Sequence, residues 1–226
     1  MKKIFLSALI LILLSGCSFT AQNNTPVFTP TRTSPPPIST ITSLPTTSGE
    51  RIPVVLLQDG APDDITAAMY LMLDLNVNLA GIVISNGETH PGRALAKWED
   101  YIYGLMWWNS VQVVAGCDCA VDAHANQFPA SWRDGADNFW GMMLPEYTGV
   151  SSTKTGSELV IELANQYPGQ LVVVVTGPHT DLALALTQDP SLMEKIAKVV
   201  IMGGAVEVGG NIKTDDPTQT DRKSVV

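Results

Sequence analysis

Five short aliphatic runs alternate with segments of helical spacing, and this alternation leaves few folds open to the chain. The runs are Ile52–Leu57, Leu79–Ile84, Val111–Val114, Leu171–Val175 and Val199–Met202. Between them, apolar residues recur at helical intervals from Asp63 to Leu73 and over Pro91–Trp108, Gly156–Tyr167 and Asp181–Leu186. Leu171–Val175 is aliphatic at every position, as expected for a central parallel strand buried on both faces. Strands alternating with helices predict an α/β fold, an open and mainly parallel sheet flanked by helices. Gly116–Thr153, rich in Gly, Asp, Asn and Trp, reads as a long irregular region. Trp107 and Trp108 are expected on a helix face and in the core, while Trp132 and Trp140 suit a pocket wall.

Chemistry concentrates where the first strand should end. Asp59-Gly60-Ala61-Pro62-Asp63-Asp64 places three carboxylates within six residues, between a strand and a helix. Ligands of open α/β sheets bind at the carboxyl ends of strands. Carboxylates this close repel one another unless a cation or strong donors offset the charge. Asp63 and Asp64 could equally serve to cap the helix. Two further strand ends on the same edge carry Thr176-Gly177-Pro178 and Gly203-Gly204-Ala205, the latter followed by Gly209-Gly210-Asn211. Glycines there permit close backbone approach.

The first 50 residues stand apart from this pattern. Lys2 and Lys3 precede an apolar run, Ile4–Leu14, too short to span a bilayer. Leu14-Ser15-Gly16-Cys17 then matches a lipobox. Residues 1–16 are therefore read as a lipoprotein signal peptide and Cys17 as the lipidated residue. Residues 17–50, rich in Ser, Thr and Pro, read as a disordered tether. This predicts a protein of the cell envelope, lipid-anchored to a membrane and facing outside the cytoplasm. Residues 51–220 would form the domain, and 221–226 break its pattern and read as a non-native tail. Cys117 and Cys119 could form a redox or metal pair, but the reading preferred is an incidental local disulfide or two free thiols. A formal net charge of -9 in 226 residues argues against nucleic acid as a partner and favours cations or neutral polar ligands.

Three blocks in order carry a family resemblance. Asp59–Asp64 resembles the Asp-Pro-Gly-x-Asp-Asp signature of inosine-uridine-type nucleoside hydrolases. Thr176-Gly177-Pro178-His179-Thr180-Asp181-Leu182-Ala183 is similar to that family's Thr-Gly-Pro-Leu-Thr-Asn-Leu-Ala turn. Met202-Gly203-Gly204 and Gly210-Asn211 resemble its later Met-Gly-Gly and Gly-Asn pairs. The resemblance spans roughly Ile52 to Thr220, the N-terminal part of that fold. It implies a Ca2+-dependent enzyme that cleaves the N-glycosidic bond of ribonucleosides with water. It further implies that Asp59 binds Ca2+ and acts as the base, and that Asp64 and the Thr176 carbonyl bind Ca2+. Asp63 would hold the ribose 2′-hydroxyl and Asn211 the 5′-hydroxyl. Implied partners are a small-molecule ribonucleoside or related N-riboside, the membrane through the lipid anchor, and other copies of the chain in a homo-oligomer. Ca2+ takes hard oxygen ligands, which these residues supply.

The departures are specific. Leu57 stands where the family has an Asp, and Glu88 stands where it has an Asn. Glu88 is therefore a candidate substrate-binding residue, with His90 beside it in the same loop. Ser131-Trp132-Arg133-Asp134-Gly135 aligns with the family's His-Gly-x-Asp-Gly loop but lacks its His. The family's last metal-binding Asp and a Glu-x-Asn block have no counterpart. The sheet is thus expected to be incomplete at its C-terminus, and the chain to bind Ca2+ weakly with little turnover. Two alternatives are a nucleoside- or sugar-binding lipoprotein without catalysis and a degenerate relative kept as an interaction protein.

Overall fold

The computed structural model describes residues 50–119 and 128–203. Cys17, the tether, Asn211 and the 221–226 segment lie outside them. Five strands form one sheet: β1 (Ile52–Gln58), β2 (Val77–Ile84), β3 (Gln112–Ala115), β4 (Leu171–Val175) and β5 (Ile196–Ile201). Their order is β3-β2-β1-β4-β5, and every neighbouring pair is parallel. Among the described residues, six α-helices accompany them: α1 (Pro62–Leu73), α2 (Pro91–Glu99), α3 (Ala130–Asp137), α4 (Gly156–Gln166), α5 (Thr180–Gln188) and α6 (Leu192–Lys195). The open parallel α/β sheet agrees with the sequence reading, and β4 sits between β1 and β5 as its composition requires.

Side-chain alternation along the strands builds two cores. Val54, Leu56, Ile82 and Ile84 face one side and pack with Ala68 and Met72 of α1 and Ala94 and Trp98 of α2. Val55, Leu57, Val83, Val173 and Val175 face the other, against Leu159 and Leu163 of α4 and Leu182 of α5. Successive strand residues point to opposite faces, so an all-aliphatic strand serves both layers. Trp98 is fully buried and meets Tyr101 and Phe139 edge-on. Pro53 is tolerated in central β1 because pairing with β4 begins only at Val54.

Three expectations are corrected. The helix from Pro91 does not run to Trp108: α2 ends at Glu99 and continues as a π-helical turn, Asp100–Leu105. There Gly104 lies against the Pro145 carbonyl, where a Cβ would sit 3.3 Å from the carbonyl carbon. Trp107 consequently belongs to neither helix nor core. It adopts φ 57° and is 80% exposed, while Trp108 packs at the core edge. Finally, the Gly116–Thr153 region contains α3, a helix its own Gly and Asp content disfavours. Tertiary hydrogen bonds hold it, as described next.

Candidate active site

Asp59 begins where β1 ends. Gly60, at φ 86°, turns the chain away from the sheet, and Pro62 starts α1 at a position where its missing N–H is harmless. Asp64 lies on the first turn of α1 and folds back. Its Oδ2 accepts the Asp59 N–H at 3.2 Å and the Ala61 N–H at 3.0 Å. Asp64 thus does part of the capping job anticipated for it. Its Oδ1 is buried and has no hydrogen-bond partner among the described residues. Asp63, by contrast, is exposed beside it.

Asp59 itself is almost fully buried, at 1% exposure. It is wedged between two glycines from neighbouring strand ends. A Cβ on Gly87, after β2, would lie 2.8 Å from the Asp59 carboxyl carbon. A Cβ on Gly177, after β4, would lie 2.8 Å from the Asp59 nitrogen. Both distances are too short for real atoms, so the two glycines are what allow Asp59 its position. Glu88 also reaches the site: its backbone N–H donates to Asp59 Oδ2 at 3.2 Å. Thr176 is fixed beside them, its N–H bonded to the Leu57 carbonyl at 2.8 Å. The strand ends of β1, β2 and β4 therefore bring together Asp59, Asp63, Asp64, Glu88 and Thr176. Leu57 is a packing residue here, buried in the α4–α5 core.

Arg133 and Asp137, which the sequence did not single out, and Trp140 pack beside these strand ends. Arg133 of α3 donates from one Nη to Asn86 Oδ1 at 2.7 Å and to the Thr89 carbonyl at 2.8 Å. Asp137 of α3 accepts the His90 N–H at 2.7 Å and faces His90 Nδ1 at 2.8 Å. His90 is therefore tied into the loop rather than loose on the surface. Trp140, in a left-handed conformation after α3, donates its Nε1–H to the Gly60 carbonyl at 3.1 Å. The side chain of Gln58, the last residue of β1, accepts the Gly60 N–H. A polar residue closing an aliphatic strand was the one local clue to this last contact. The partners of α3 are over 40 residues away, and nothing in its local sequence marks them.

A further carboxylate is buried at the same edge. Asp181, at the start of α5, accepts Ser85 Oγ and the Cys117 N–H, each at 2.9 Å. Gly116 and Gly156 give it room, since a Cβ on either would lie 2.8 or 2.7 Å from its carboxyl carbon. Burial pushes its pKa up, against the lowering effect of the Cys117 N–H and Ser85 bonds. Cys117 and Cys119 are disulfide-bonded, one of the two states expected for them.

The donors suit a hard cation by type. Asp59 and Asp64 are buried carboxylates within one turn, and Asp64 Oδ1 is an orphan that a cation would satisfy. Among the described residues, no group of three or more His, Cys, Asp or Glu side chains is arranged to hold a metal.

Comparison with known proteins agrees with this architecture. Residues 54–219 match the family model described as inosine-uridine preferring nucleoside hydrolase. Residues 1–18 match a prokaryotic membrane lipoprotein lipid attachment site. A probable uridine nucleosidase 2 of Arabidopsis thaliana is 26% identical over 164 residues, covering 73% of this chain and 51% of that one. A pyrimidine-specific ribonucleoside hydrolase RihA of Citrobacter koseri is 29% identical over 158 residues, 70% of this chain and 50% of that one. Among solved structures, the purine-preferring ribonucleoside hydrolase from Gardnerella vaginalis superposes with TM-score 0.63 at 27% identity, covering 70% of this chain and 51% of that one. The inosine-uridine preferring nucleoside hydrolase from Bacillus anthracis gives 0.59 at 25%, covering 75% and 56%. The chain spans about half the length of the curated relatives it matches. A parallel sheet with its acidic strand end at the β1–α1 turn, matched by the family model over residues 54–219, makes this chain a member of the inosine-uridine preferring nucleoside hydrolase family.

Proposed function

We propose that the site hydrolyses the N-glycosidic bond of ribonucleosides, with Asp59 as the base that takes a proton from the attacking water. The observation that carries this is the placement of Asp59, buried between Gly87 and Gly177 with Asp64 folded onto its backbone N–H. Asp59, Asp64 and the Thr176 carbonyl would hold Ca2+. When bound, that ion would supply positive charge that makes a water easier to deprotonate and offsets the clustered carboxylates. Asp63, exposed beside Asp64 on the first turn of α1, is suited to accept a hydrogen bond from the ribose 2′-hydroxyl. Glu88 lines the same end of the sheet and would contact the sugar, as would Asn211, which lies outside the described residues. The acidic surroundings favour the oxocarbenium-like charge that develops on the sugar as the glycosidic bond breaks. The lipidated Cys17 would hold the protein at a membrane, outside the cytoplasm. Among the described residues no helix is long and apolar enough to cross one.

The test is ribose release from purine and pyrimidine ribonucleosides by the full-length protein, with and without a calcium chelator. Chelator-sensitive release is the expected result. Nucleoside binding without turnover, indifferent to chelator, would instead establish a solute-binding lipoprotein.

A further inference from the structure

We infer that the edge of the sheet opposite the candidate site rests on the lipid surface to which the chain is anchored. All five strands are parallel, so every connection entering a strand lies on one edge. Two contacts confirm the gathering. The Ile52 N–H at the start of β1 bonds the Asn76 carbonyl before β2, and the Gly169 N–H before β4 bonds the Lys195 carbonyl before β5, each at 2.7 Å.

This edge carries large apolar side chains in water. Leu75 before β2 is 80% exposed, Trp107 before β3 is 80% exposed, and Met193 before β5 is 79% exposed. Leu73 and Leu105 flank the first two and are also exposed. The same edge receives the chain from the lipid attachment site, because β1 starts there. Residues 18–50 amount to 33 residues of Ser/Thr/Pro-rich sequence. Whatever its conformation, a chain of that length reaches at most about 120 Å, which keeps the edge within reach of the surface. Weak apolar contacts then suffice. Trp is the side chain best suited to the headgroup boundary, and Leu and Met to its acyl side. The net charge of -9 gives the chain no overall attraction to anionic lipid, so the contact rests on the apolar side chains and extends to zwitterionic membranes. The candidate site, at the other ends of the same strands, would then open away from the membrane toward soluble substrate. The inference depends on the lipid attachment site and not on the catalytic reading.

The full chain, lipidated at Cys17, is reconstituted in phosphatidylcholine vesicles with brominated acyl chains, and tryptophan quenching is measured without substrate. The native chain is expected to be quenched relative to unbrominated vesicles. Trp107→Phe should lose at least half of that quenching, and Trp132→Phe should leave it unchanged. Leu75→Gln combined with Met193→Gln retains Trp107 and should also at least halve the effect. These positions are exposed, so unchanged circular dichroism and melting serve as the folding control. Absence of quenching in the native chain, or equal quenching in Trp107→Phe, overturns the inference. A dimer in detergent that the Leu75→Gln, Met193→Gln pair dissociates also overturns it, by assigning the edge to a second copy.

Discussion

Asp59 depends on what its neighbours lack. Gly87→Ala would drive a methyl group into the Asp59 carboxylate, and overpacking of this kind costs about 1–3 kcal/mol. Gly92→Ala is the control, since nothing lies within 4 Å of its Cβ and the position is helical. Denaturant unfolding should show a loss for the first and a gain of about 0.5–1 kcal/mol for the second. Ribose release should fall only in Gly87→Ala. Asp181 titrates in the opposite sense to a salt-bridged acid. Its folded pKa lies above the ordinary value of 3.8, so the protonated form is the one folding favours. The stability this contributes is full below pH 3.8 and disappears as pH rises through the folded value. Asp181→Asn, which keeps an acceptor for the Cys117 N–H and carries no charge, should therefore stabilise the protein near neutrality. That advantage should shrink on acidification, and melting temperatures across this range would show it. An equal stability difference between Asp181→Asn and the native chain at about pH 3 and about pH 7 would contradict the assignment.

At the scale of elements, the loop after β2 and helix α3 are one unit. Arg133 and Asp137 grip Asn86, Thr89 and His90, and this grip stands behind the Glu88 N–H that bonds Asp59. Asp137→Ala strips two acceptors from His90 and should cost about 1–3 kcal/mol, measured by the urea midpoint. It should also reduce turnover, because the loop that meets Asp59 loosens. The helices differ in how legible they were. α4 was legible from the helical spacing of Gly156–Tyr167, which ends one residue beyond the observed end, and the structure adds a Thr155–Glu158 capping box at its start. α3 has no such marker and low intrinsic preference. Its contacts come from residues distant in the chain, so local pattern could not reveal it. The Trp107 assignment failed for a related reason: helical spacing continued through Pro91–Trp108, but the close approach of Gly104 to Pro145 belongs to tertiary packing.

Across the whole molecule, the parallel sheet sets the polarity on which function turns. Carboxylates converge where strands end, and the chain coming from the matched lipid attachment site enters where they begin. Ca2+ should raise the melting temperature of the native chain, with about 2.7 kcal/mol of stabilisation at a concentration 100 times the dissociation constant. Asp64→Asn should abolish that shift, and a shift of equal size in the variant would remove Asp64 from the proposed ligands. The sequence by itself determined the α/β class, the parallel order implied by an all-aliphatic β4, and the membership of Asp59, Asp64 and Thr176 in one edge. These follow from short-range periodicity and from the strand-end position of polar residues, both of which are local. Only the tertiary structure decided that Asp59 sits between Gly87 and Gly177, that α3 closes on the β2 loop, and that Asp181 is buried. Those outcomes depend on which distant backbones come within a few ångströms of each other, and sequence spacing carries no measure of that distance.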